Sequence, residues 1–486
     1  MNSIYVKLTG HHYEHDVYEL IKSFEPEISV NFVEEESDYR CKNFIESILD
    51  KGNKKVKTIF YTSKNNFKEY VNYYDEIEGY QKISNFEYKL IKKNLYTALS
   101  DAFRKKSEWG TLTGIRPVKL CRQLDKDGFN ESEIKNLLVN LFEISEKNSD
   151  LLLEIKENQD SYLKNYEEGF SLYINIPFCP SKCLYCSFPT VLSSRYLDRI
   201  DDYLALLKEE IIHSKNIFKD KKIKSVYIGG GTPTTLNKDQ LKDLIKTIYS
   251  VYPRESIMEF TVEAGRPDTI DLEKLSVLHD LKIDRISINP QSMNELTLEK
   301  ALRRHSPSDV VEKFKLARQI GFNTINMDLI IGLEGDTFDS FKNTLNEIKK
   351  LSPDNLTIHN LAFKKGSKIK RTKEDEKRVN EIRKMFNYSL EFTKENGYLP
   401  YYLYRQKNML GSFENIGYSK VFKQCYYNII SMEDKESIIG CGMAAMSKVY
   451  FKDEDRIERV SNFRSLEEYM TRFNEVIKKK EELFEI

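Results

Sequence analysis

The chain has 486 residues, of which 40% are hydrophobic, and its 76 Lys and Arg residues are balanced by 76 Asp and Glu residues. At roughly 150 residues per domain, this length predicts about three domains, or one large barrel with added segments. A net charge of zero excludes a protein that binds nucleic acid through bulk positive charge, so we expect no nucleic-acid partner.

We expect neither a secretory signal nor a membrane-spanning segment from this sequence. His11, His12, Glu14 and His15 interrupt the apolar positions near the N-terminus, where a signal peptide would carry a continuous apolar stretch. A span needs about 18 to 20 consecutive apolar residues, and the chain has no such run. We therefore expect a cytoplasmic protein.

Residues 1–165 are predicted to form an N-terminal α+β accessory domain. Short apolar stretches predict strands, and longer amphipathic stretches predict helices. The predicted strands are Ser3–Leu8, Glu27–Val33 and Val56–Tyr61, and the predicted helices are Phe86–Arg104 and Ser132–Phe142. The segment Trp109–Pro117 is a constrained turn, which is interpreted either as a domain-packing loop or as a substrate contact through Arg116.

In residues 166–370, short apolar runs alternate with predicted amphipathic helices. This pattern is typical of a parallel sheet with helices outside. The predicted strands are Leu172–Ile176, Ser225–Ile228, Ile257–Val262, Arg285–Ile288, Thr324–Ile331 and Asn355–His359. Six such units predict an α/β fold with a partial, TIM-like (β/α)6 barrel. Its active site should lie at the carboxyl ends of the strands.

Residues 371–486 are predicted to form a mixed C-terminal region that covers the substrate. A long helix is predicted over Glu374–Glu395, followed by the tyrosine-rich segment Tyr401–Gly411 and a charged terminal helix.

A cysteine cluster follows the first barrel strand. Cys179, Cys183 and Cys186 have the spacing Cys-x3-Cys-x2-Cys, and thiolates are soft ligands that suit iron–sulfur clusters or zinc. A structural zinc site needs four protein ligands, and no fourth cysteine or histidine follows locally. The spacing favours a 4Fe-4S cluster with one iron open to a reactant, with zinc and accidental clustering as the alternatives.

A glycine-rich turn, Gly229–Thr234, follows the second barrel strand. Glycines allow close approach of the backbone to a ligand, such as the charged end of an amino acid. The alternative interpretation is a tight turn between a strand and a helix.

Together these motifs resemble the radical S-adenosylmethionine superfamily, and within it the oxygen-independent coproporphyrinogen III oxidases of the HemZ type. The likeness includes Trp109–Leu120 and Tyr401–Gly411. It implies a radical SAM barrel in which the three cysteines bind a 4Fe-4S cluster and S-adenosylmethionine binds the fourth iron. The residues that it implies for the S-adenosylmethionine site are Tyr173, Tyr185, Gly230, Gly231, Thr232, Glu263, Gln291, Arg303, Asp328 and Ala362.

The resemblance also implies an oxidoreductase of haem biosynthesis. A radical derived from S-adenosylmethionine would take a β-hydrogen from a propionate of coproporphyrinogen III, and loss of carbon dioxide and one electron would leave a vinyl group. Two rounds give protoporphyrinogen IX. The tetrapyrrole carboxylates need cationic partners, for which Arg116 and Arg405, with Tyr404 beside it, are the candidates, and Arg303, Arg304 and Lys407 are further cations.

No catalytic residue is assigned. The implied partners are the tetrapyrrole and an electron donor such as flavodoxin or ferredoxin, and we expect a monomer.

Two departures from the oxidase pattern leave the substrate open. Asn175 replaces a histidine of the better-known oxidase branch, and Phe188 replaces its extra cysteine. A haem chaperone, an anaerobic haem-modifying radical SAM protein and a non-catalytic metalloprotein therefore remain alternatives.

Overall fold

The computed structural model describes residues 2–34, 43–63, 65–114, 116–163, 168–218, 221–406 and 408–484. Lys407, one of the cationic candidates, lies outside these residues. The chain divides into two compact units, Met1–Glu157 and Asn158–Ile486. The sequence-based boundaries at residues 165 and 370 stay predictions.

The first unit contains a mixed sheet with helices. Its strands, in the sheet order β2-β1-β3-β4-β5, are β1 (Ser3–Thr9), β2 (Ser29–Phe32), β3 (Phe44–Asp50), β4 (Lys55–Ser63) and β5 (Asn66–Tyr73). Its helices are α1 (Glu14–Phe24), α2 (Phe86–Phe103), α3 (Val118–Lys126) and α4 (Glu131–Asn140), and α5 (Glu146–Leu163) runs past the unit boundary. Leu20 of α1 and Leu95 of α2 share one buried cluster with Ile4 and Val6 of β1.

Five elements of this unit, β3, β5, α1, α3 and α5, were absent from the sequence-based prediction. The N-cap residue of α1, Tyr13, makes no side-chain capping hydrogen bond, so the usual start signal is missing. Most of β5 is exposed, so it has little of the apolar alternation that indicates a strand.

The second unit contains a long sheet flanked by helices. Its strands are β6 (Gly169–Ile176), β7 (Phe178–Cys179), β8 (Val191–Leu192), β9 (Lys222–Gly230), β10 (Glu259–Glu263), β11 (Arg285–Ser287), β12 (Ile325–Ile331), β13 (Asn355–Asn360), β14 (Leu399–Tyr404), β15 (Asn415–Ser419), β16 (Ser437–Cys441), β17 (Met446–Phe451) and β18 (Arg456–Ser461). Its helices are α6 (Ile200–Ser214), α7 (Lys238–Val251), α8 (Leu272–Asp280), α9 (Glu295–Lys300), α10 (Pro307–Ile320), α11 (Phe338–Leu351), α12 (Lys373–Lys377), α13 (Val379–Glu395), α14 (Tyr426–Glu433), α15 (Leu466–Thr471) and α16 (Phe473–Phe484).

The parallel arrangement predicted from the sequence is confirmed. Strands β6, β9, β10, β11, β12 and β13 are parallel neighbours in chain order. Helices occupy the crossovers, and the N-cap residue of α7, Asn237, forms a capping box with Gln240. This architecture brings the carboxyl ends of all six strands to one edge of the sheet.

The C-terminal region extends the sheet at both edges. Strand β16 runs parallel to β6 and carries the antiparallel β17 and β18, whereas β15 lies antiparallel to β13 and pairs with β14. The single helix predicted over Glu374–Glu395 is wrong in one respect, because the chain leaves the regular helix at Arg378 and forms α12 and α13. Across the residues that the structure describes, none of the helices has the length and apolar character required to cross a membrane.

Candidate active site at the carboxyl ends of the parallel strands

The three clustered cysteines lie on one loop at the carboxyl end of β6. Cys179 ends β7 and Cys183 follows it, and both are buried, whereas Cys186 is partly exposed. The loop is fixed through the Leu184 backbone, whose N–H donates to the Ala301 carbonyl at 3.2 Å and whose carbonyl accepts from the Lys368 N–H at 2.9 Å.

Two buried arginines contact the central thiol. Arg266 Nη1 lies 3.6 Å and Arg303 Nη1 lies 3.9 Å from Cys183 Sγ. Burial raises the pKa of the Cys179 and Cys186 thiols, and the positive charges of Arg266 and Arg303 respectively act in the opposite direction. In the metal-free protein, burial therefore favours the neutral thiols, and the two guanidinium groups reduce the cost of forming the thiolates that an iron ligand requires.

The two guanidinium groups are themselves held by backbone carbonyls. Arg266 donates to the Ser181 carbonyl at 3.1 Å and pairs with Asp268 at 2.8 Å. Arg303 donates to the Asn289 carbonyl at 2.5 Å and to the Gly265 carbonyl at 3.3 Å. Arg266 was missed in the sequence analysis, although its place directly after β10, at the active edge of the sheet, is a signal that could have found it.

The cysteine set is compatible with a cubane cluster. Within the described residues, no three His, Cys, Asp or Glu side chains are grouped so that they could hold one metal ion. A 4Fe-4S cluster does not require such a group, because each thiolate binds a different iron atom. Three thiols on one loop beside two guanidinium groups therefore fit an anionic cluster.

The glycine turn packs directly against the cysteine loop. The Gly231 N–H donates to the Ile176 carbonyl at 2.8 Å, and the Thr232 N–H donates to the Phe178 carbonyl at 2.9 Å. Gly230 has φ +102°, and a Cβ atom there would lie 1.8 Å from Asn175 Oδ1, so this position requires glycine. Any contact of the turn with S-adenosylmethionine must therefore use atoms other than these two N–H groups.

A partly exposed side chain marks five of the six parallel strands. These residues are Tyr173, Tyr227, Glu263, Asp328 and His359. Each has a buried neighbour on both sides within its strand, except Glu263, which is the last residue of β10. Since the strand ends meet at one edge of the sheet, these side chains line one opening. The sequence analysis placed Tyr173, Glu263 and Asp328 there but missed Tyr227 and His359.

The pKa values of the two carboxyl groups Glu263 and Asp328 are shifted in opposite directions. Burial raises the pKa of Glu263 to about 7, although the Tyr227 hydroxyl donates to it at 2.6 Å. Burial also acts to raise the pKa of Asp328, but His359 and the hydrogen bonds from Asn326 and Thr357 hold it below its usual range. The site thus presents one lasting negative charge and one group that titrates near neutral pH.

Gln291 is held against β12 by an unusual backbone conformation. Its φ is +66°, its N–H donates to the Asp328 carbonyl, and its carbonyl accepts from the Ile330 N–H, both at 2.9 Å. Gln291 Oε1 is buried without a hydrogen-bond partner, and such an atom is normally satisfied by a ligand or water.

Tyr185 and Ala362 form the apolar part of the predicted cofactor site. Tyr185 packs against the buried cluster of Ile330, Leu333 and Leu361, a surface suited to an adenine ring. The neighbouring Ala362 forms an isolated β-bridge with Met409.

The predicted substrate residues Tyr404 and Arg405 lie at the end of β14. The Tyr404 hydroxyl is 3.1 Å from His359 Nδ1, and its ring stacks on Tyr402 with centroids 6.4 Å apart. Arg405 is partly buried, which lowers its pKa to about 10. Arg116 belongs to the unit of residues 1–157, and its role stays a prediction.

Comparisons with known proteins agree with this arrangement. The model of the radical SAM superfamily matches residues 173–348. The chain is 39% identical over 422 residues to the oxygen-independent coproporphyrinogen-III oxidase-like protein HemZ of Bacillus subtilis, covering 84% of this chain and 83% of that protein. It is 36% identical over 195 residues to the heme chaperone HemW of B. subtilis, covering 39% of this chain and 50% of that protein.

Among solved structures, coproporphyrinogen III oxidase (HemN) from Escherichia coli, described as a radical SAM enzyme, superposes with a TM-score of 0.51 at 23% identity, covering 66% of this chain and 73% of that chain. The shared fold is thereby established. The relatives by sequence include both an oxidase-like protein and a chaperone. The radical SAM core that they share therefore does not by itself distinguish between these two activities.

Proposed function

The chain belongs to the HemZ family of oxygen-independent coproporphyrinogen-III oxidase-like proteins within the radical SAM superfamily, and from this we propose that it oxidatively decarboxylates coproporphyrinogen III. Membership of the superfamily makes a 4Fe-4S cluster and S-adenosylmethionine its cofactors. The observation that carries the proposal is the extent of the likeness: 84% of the chain matches the oxidase-like HemZ, against 39% for the chaperone HemW.

Each part of the cofactor site has a proposed role. Cys179, Cys183 and Cys186 hold the cluster, and Arg266 and Arg303 stabilise the thiolates. Tyr185 provides the apolar wall for the adenine, while Glu263, Gln291 and Asp328 bind the polar groups of S-adenosylmethionine; the remaining contacts are Tyr173, Gly230, Gly231, Thr232, Arg303 and Ala362. When bound, the two cofactors supply the one-electron chemistry that removes hydrogen from an unactivated carbon.

The substrate assignment is supported by the surroundings of His359. The partly exposed ring of Tyr404, stacked on the buried Tyr402, offers a flat aromatic surface, and the adjacent Arg405 offers a cation for a propionate carboxylate. In each round the propionate would lose one hydrogen atom, which ends in 5′-deoxyadenosine, together with carbon dioxide and one electron, which passes to an external one-electron acceptor. The remaining two-carbon unit is a vinyl group.

Anaerobic turnover tests the proposal. The protein is reconstituted with iron and sulfide and incubated with dithionite, S-adenosylmethionine and coproporphyrinogen III, and 5′-deoxyadenosine and vinyl porphyrins are quantified together. We expect both products. Nucleoside without vinyl product would reject the substrate, and failure to form either product would reject the enzymatic assignment.

A haem chaperone is the second candidate, because of the local 36% identity to HemW. Two side chains that could serve as axial haem ligands, His305 and Cys425, do not favour it. His305 is buried with Nε2 at 3.3 Å from the Pro290 carbonyl oxygen, and the buried Cys425 donates to Glu259 at 3.2 Å.

Titration with haem separates the remaining alternatives. Stable haem binding that is lost in His305→Ala or Cys425→Ala would favour the chaperone. Consumption of haem with a changed visible spectrum would favour a haem-modifying enzyme.

A further inference from the structure

A short basic segment lies in the connection after β13. Residues 364–373 contain Lys364, Lys365, Lys368, Lys370, Arg371 and Lys373 and no acidic residue. All six are exposed. Arg371 contacts Glu376 at 3.6 Å. Because the whole chain has zero net charge, this concentration of cations is a local property of the surface.

The basic segment packs on the cysteine loop although about 180 residues separate them along the chain. The Lys368 N–H donates to the Leu184 carbonyl at 2.9 Å, between the second and third cysteines. Gly366 lies so close to the residue after Cys186 that a Cβ atom would be 2.6 Å from the Ser187 carbonyl oxygen. Lys364 also interacts electrostatically with Cys186, the one thiol of the three that is partly exposed.

An exposed aromatic side chain completes this surface. Phe188, two residues after Cys186, is 61% exposed. Phenylalanine is more often found inside a protein than on its surface, and aromatic residues are enriched in protein interfaces. We call Phe188 with Lys364, Lys365, Lys368, Lys370 and Lys373 the cysteine-loop patch.

We propose that the cysteine-loop patch is the docking surface for an acidic electron-carrier protein. Positive charge around an apolar centre is complementary to an acidic partner and accelerates its encounter. The position of the patch identifies the partner's role, since it lies over the most exposed cluster ligand. The reduced carrier gives up one electron and the cluster gains it, without transfer of a proton.

The inference rests on the proposed function only in requiring a reducible cluster, and not on the identity of the tetrapyrrole. It is therefore tested by electron transfer and binding rather than by product formation. The variant Lys365→Glu/Lys368→Glu/Lys370→Glu reverses three charges of the patch. The matched control Lys242→Glu/Lys246→Glu/Lys315→Glu reverses three exposed lysines on α7 and α10.

Stopped-flow mixing of the reconstituted protein with an acidic flavodoxin in its hydroquinone form measures cluster reduction through loss of visible absorbance. We expect the patch variant to react at least about tenfold more slowly at low salt, within the range that electrostatic steering gives. Wild type should slow toward the variant as salt rises, and the control variant should behave as wild type. Photoreduced deazariboflavin, a small uncharged reductant, should reduce all three proteins equally.

Calorimetric titration with oxidised flavodoxin measures binding affinity and does not require a protein that carries the cluster or S-adenosylmethionine. The patch variant should bind flavodoxin more weakly than wild type does. Equal rates and equal binding in the two proteins would overturn the proposal. An unchanged flavodoxin rate together with a raised KM for coproporphyrinogen III would also overturn it, because the patch would then belong to the substrate.

If the patch variant reacts poorly with deazariboflavin as well, Lys365→Gln/Lys368→Gln/Lys370→Gln and the salt dependence of the wild type decide the question. A wild-type rate that does not depend on salt refutes the docking surface. Loss of vinyl product with intact electron transfer would instead refute the proposed substrate and leave the patch supported.

Discussion

Replacing Glu263 by Gln should remove a pH dependence of stability that originates in the candidate active site. The carboxyl group of Glu263 has a pKa of about 7 in the folded protein because the surrounding protein desolvates its charged form, although the residue keeps some solvent exposure, against 4.5 when it is unperturbed. Gln has nearly the same shape and can still accept the hydrogen bond from Tyr227, but it does not titrate. The substitution therefore removes the proton-binding equilibrium of Glu263 and leaves its packing and hydrogen bond in place.

The sign and size of the effect follow from the two pKa values. The folded state binds the proton more tightly than the unfolded state, so Glu263 stabilises the fold most fully below its unfolded pKa, and this stabilisation is lost as the pH rises through about 7. It amounts to about 2.6 kcal/mol at pH 5 and less than about 0.1 kcal/mol at pH 8. The free energy of unfolding of Glu263→Gln should thus rise by about 2.5 kcal/mol relative to wild type between pH 5 and pH 8.

Urea unfolding of the metal-free protein, followed by far-ultraviolet circular dichroism, measures this difference. Fluorescence is unsuitable because the single tryptophan, Trp109, lies in the other unit. Glu299→Gln, an exposed position, is the control and should follow wild type at every pH. Parallel pH profiles for wild type and Glu263→Gln would refute the assignment of a raised pKa to Glu263.

Three further substitutions test the site and its support. Cys183→Ala should abolish the brown chromophore and 5′-deoxyadenosine formation, whereas Cys425→Ala should retain the chromophore, and equal loss in both would contradict the ligand assignment. Gly230→Ala should destabilise the fold by about 2–3 kcal/mol, through the positive φ and the displaced Asn175; urea unfolding measures it, and an unchanged midpoint would contradict the close packing. Lys480→Met should cost about 3–5 kcal/mol because it leaves the buried Glu210 carboxylate without its ion-pair partner, and Lys480→Met/Glu210→Gln should recover part of that loss in the same assay.

Local features of the sequence were sufficient to predict the barrel strands and the cysteine loop. Apolar runs separated by amphipathic helices indicate parallel strands because each run must be followed by a crossover. The spacing of Cys179, Cys183 and Cys186 is likewise a property of one short segment. The family likeness then identified the cofactors, whereas the individual contacts with S-adenosylmethionine and the substrate stay predictions.

The sequence by itself therefore determined the six parallel strands of the barrel, the three-cysteine loop and the superfamily. Only the tertiary structure placed Arg266 and Arg303 on Cys183, His359 between Asp328 and Tyr404, and the basic segment 364–373 on the cysteine loop. It also decided that β14 to β18 extend the parallel sheet at both edges. The physical reason is that these contacts join residues far apart in the chain, and strand register and loop packing, which no local pattern encodes, bring them together.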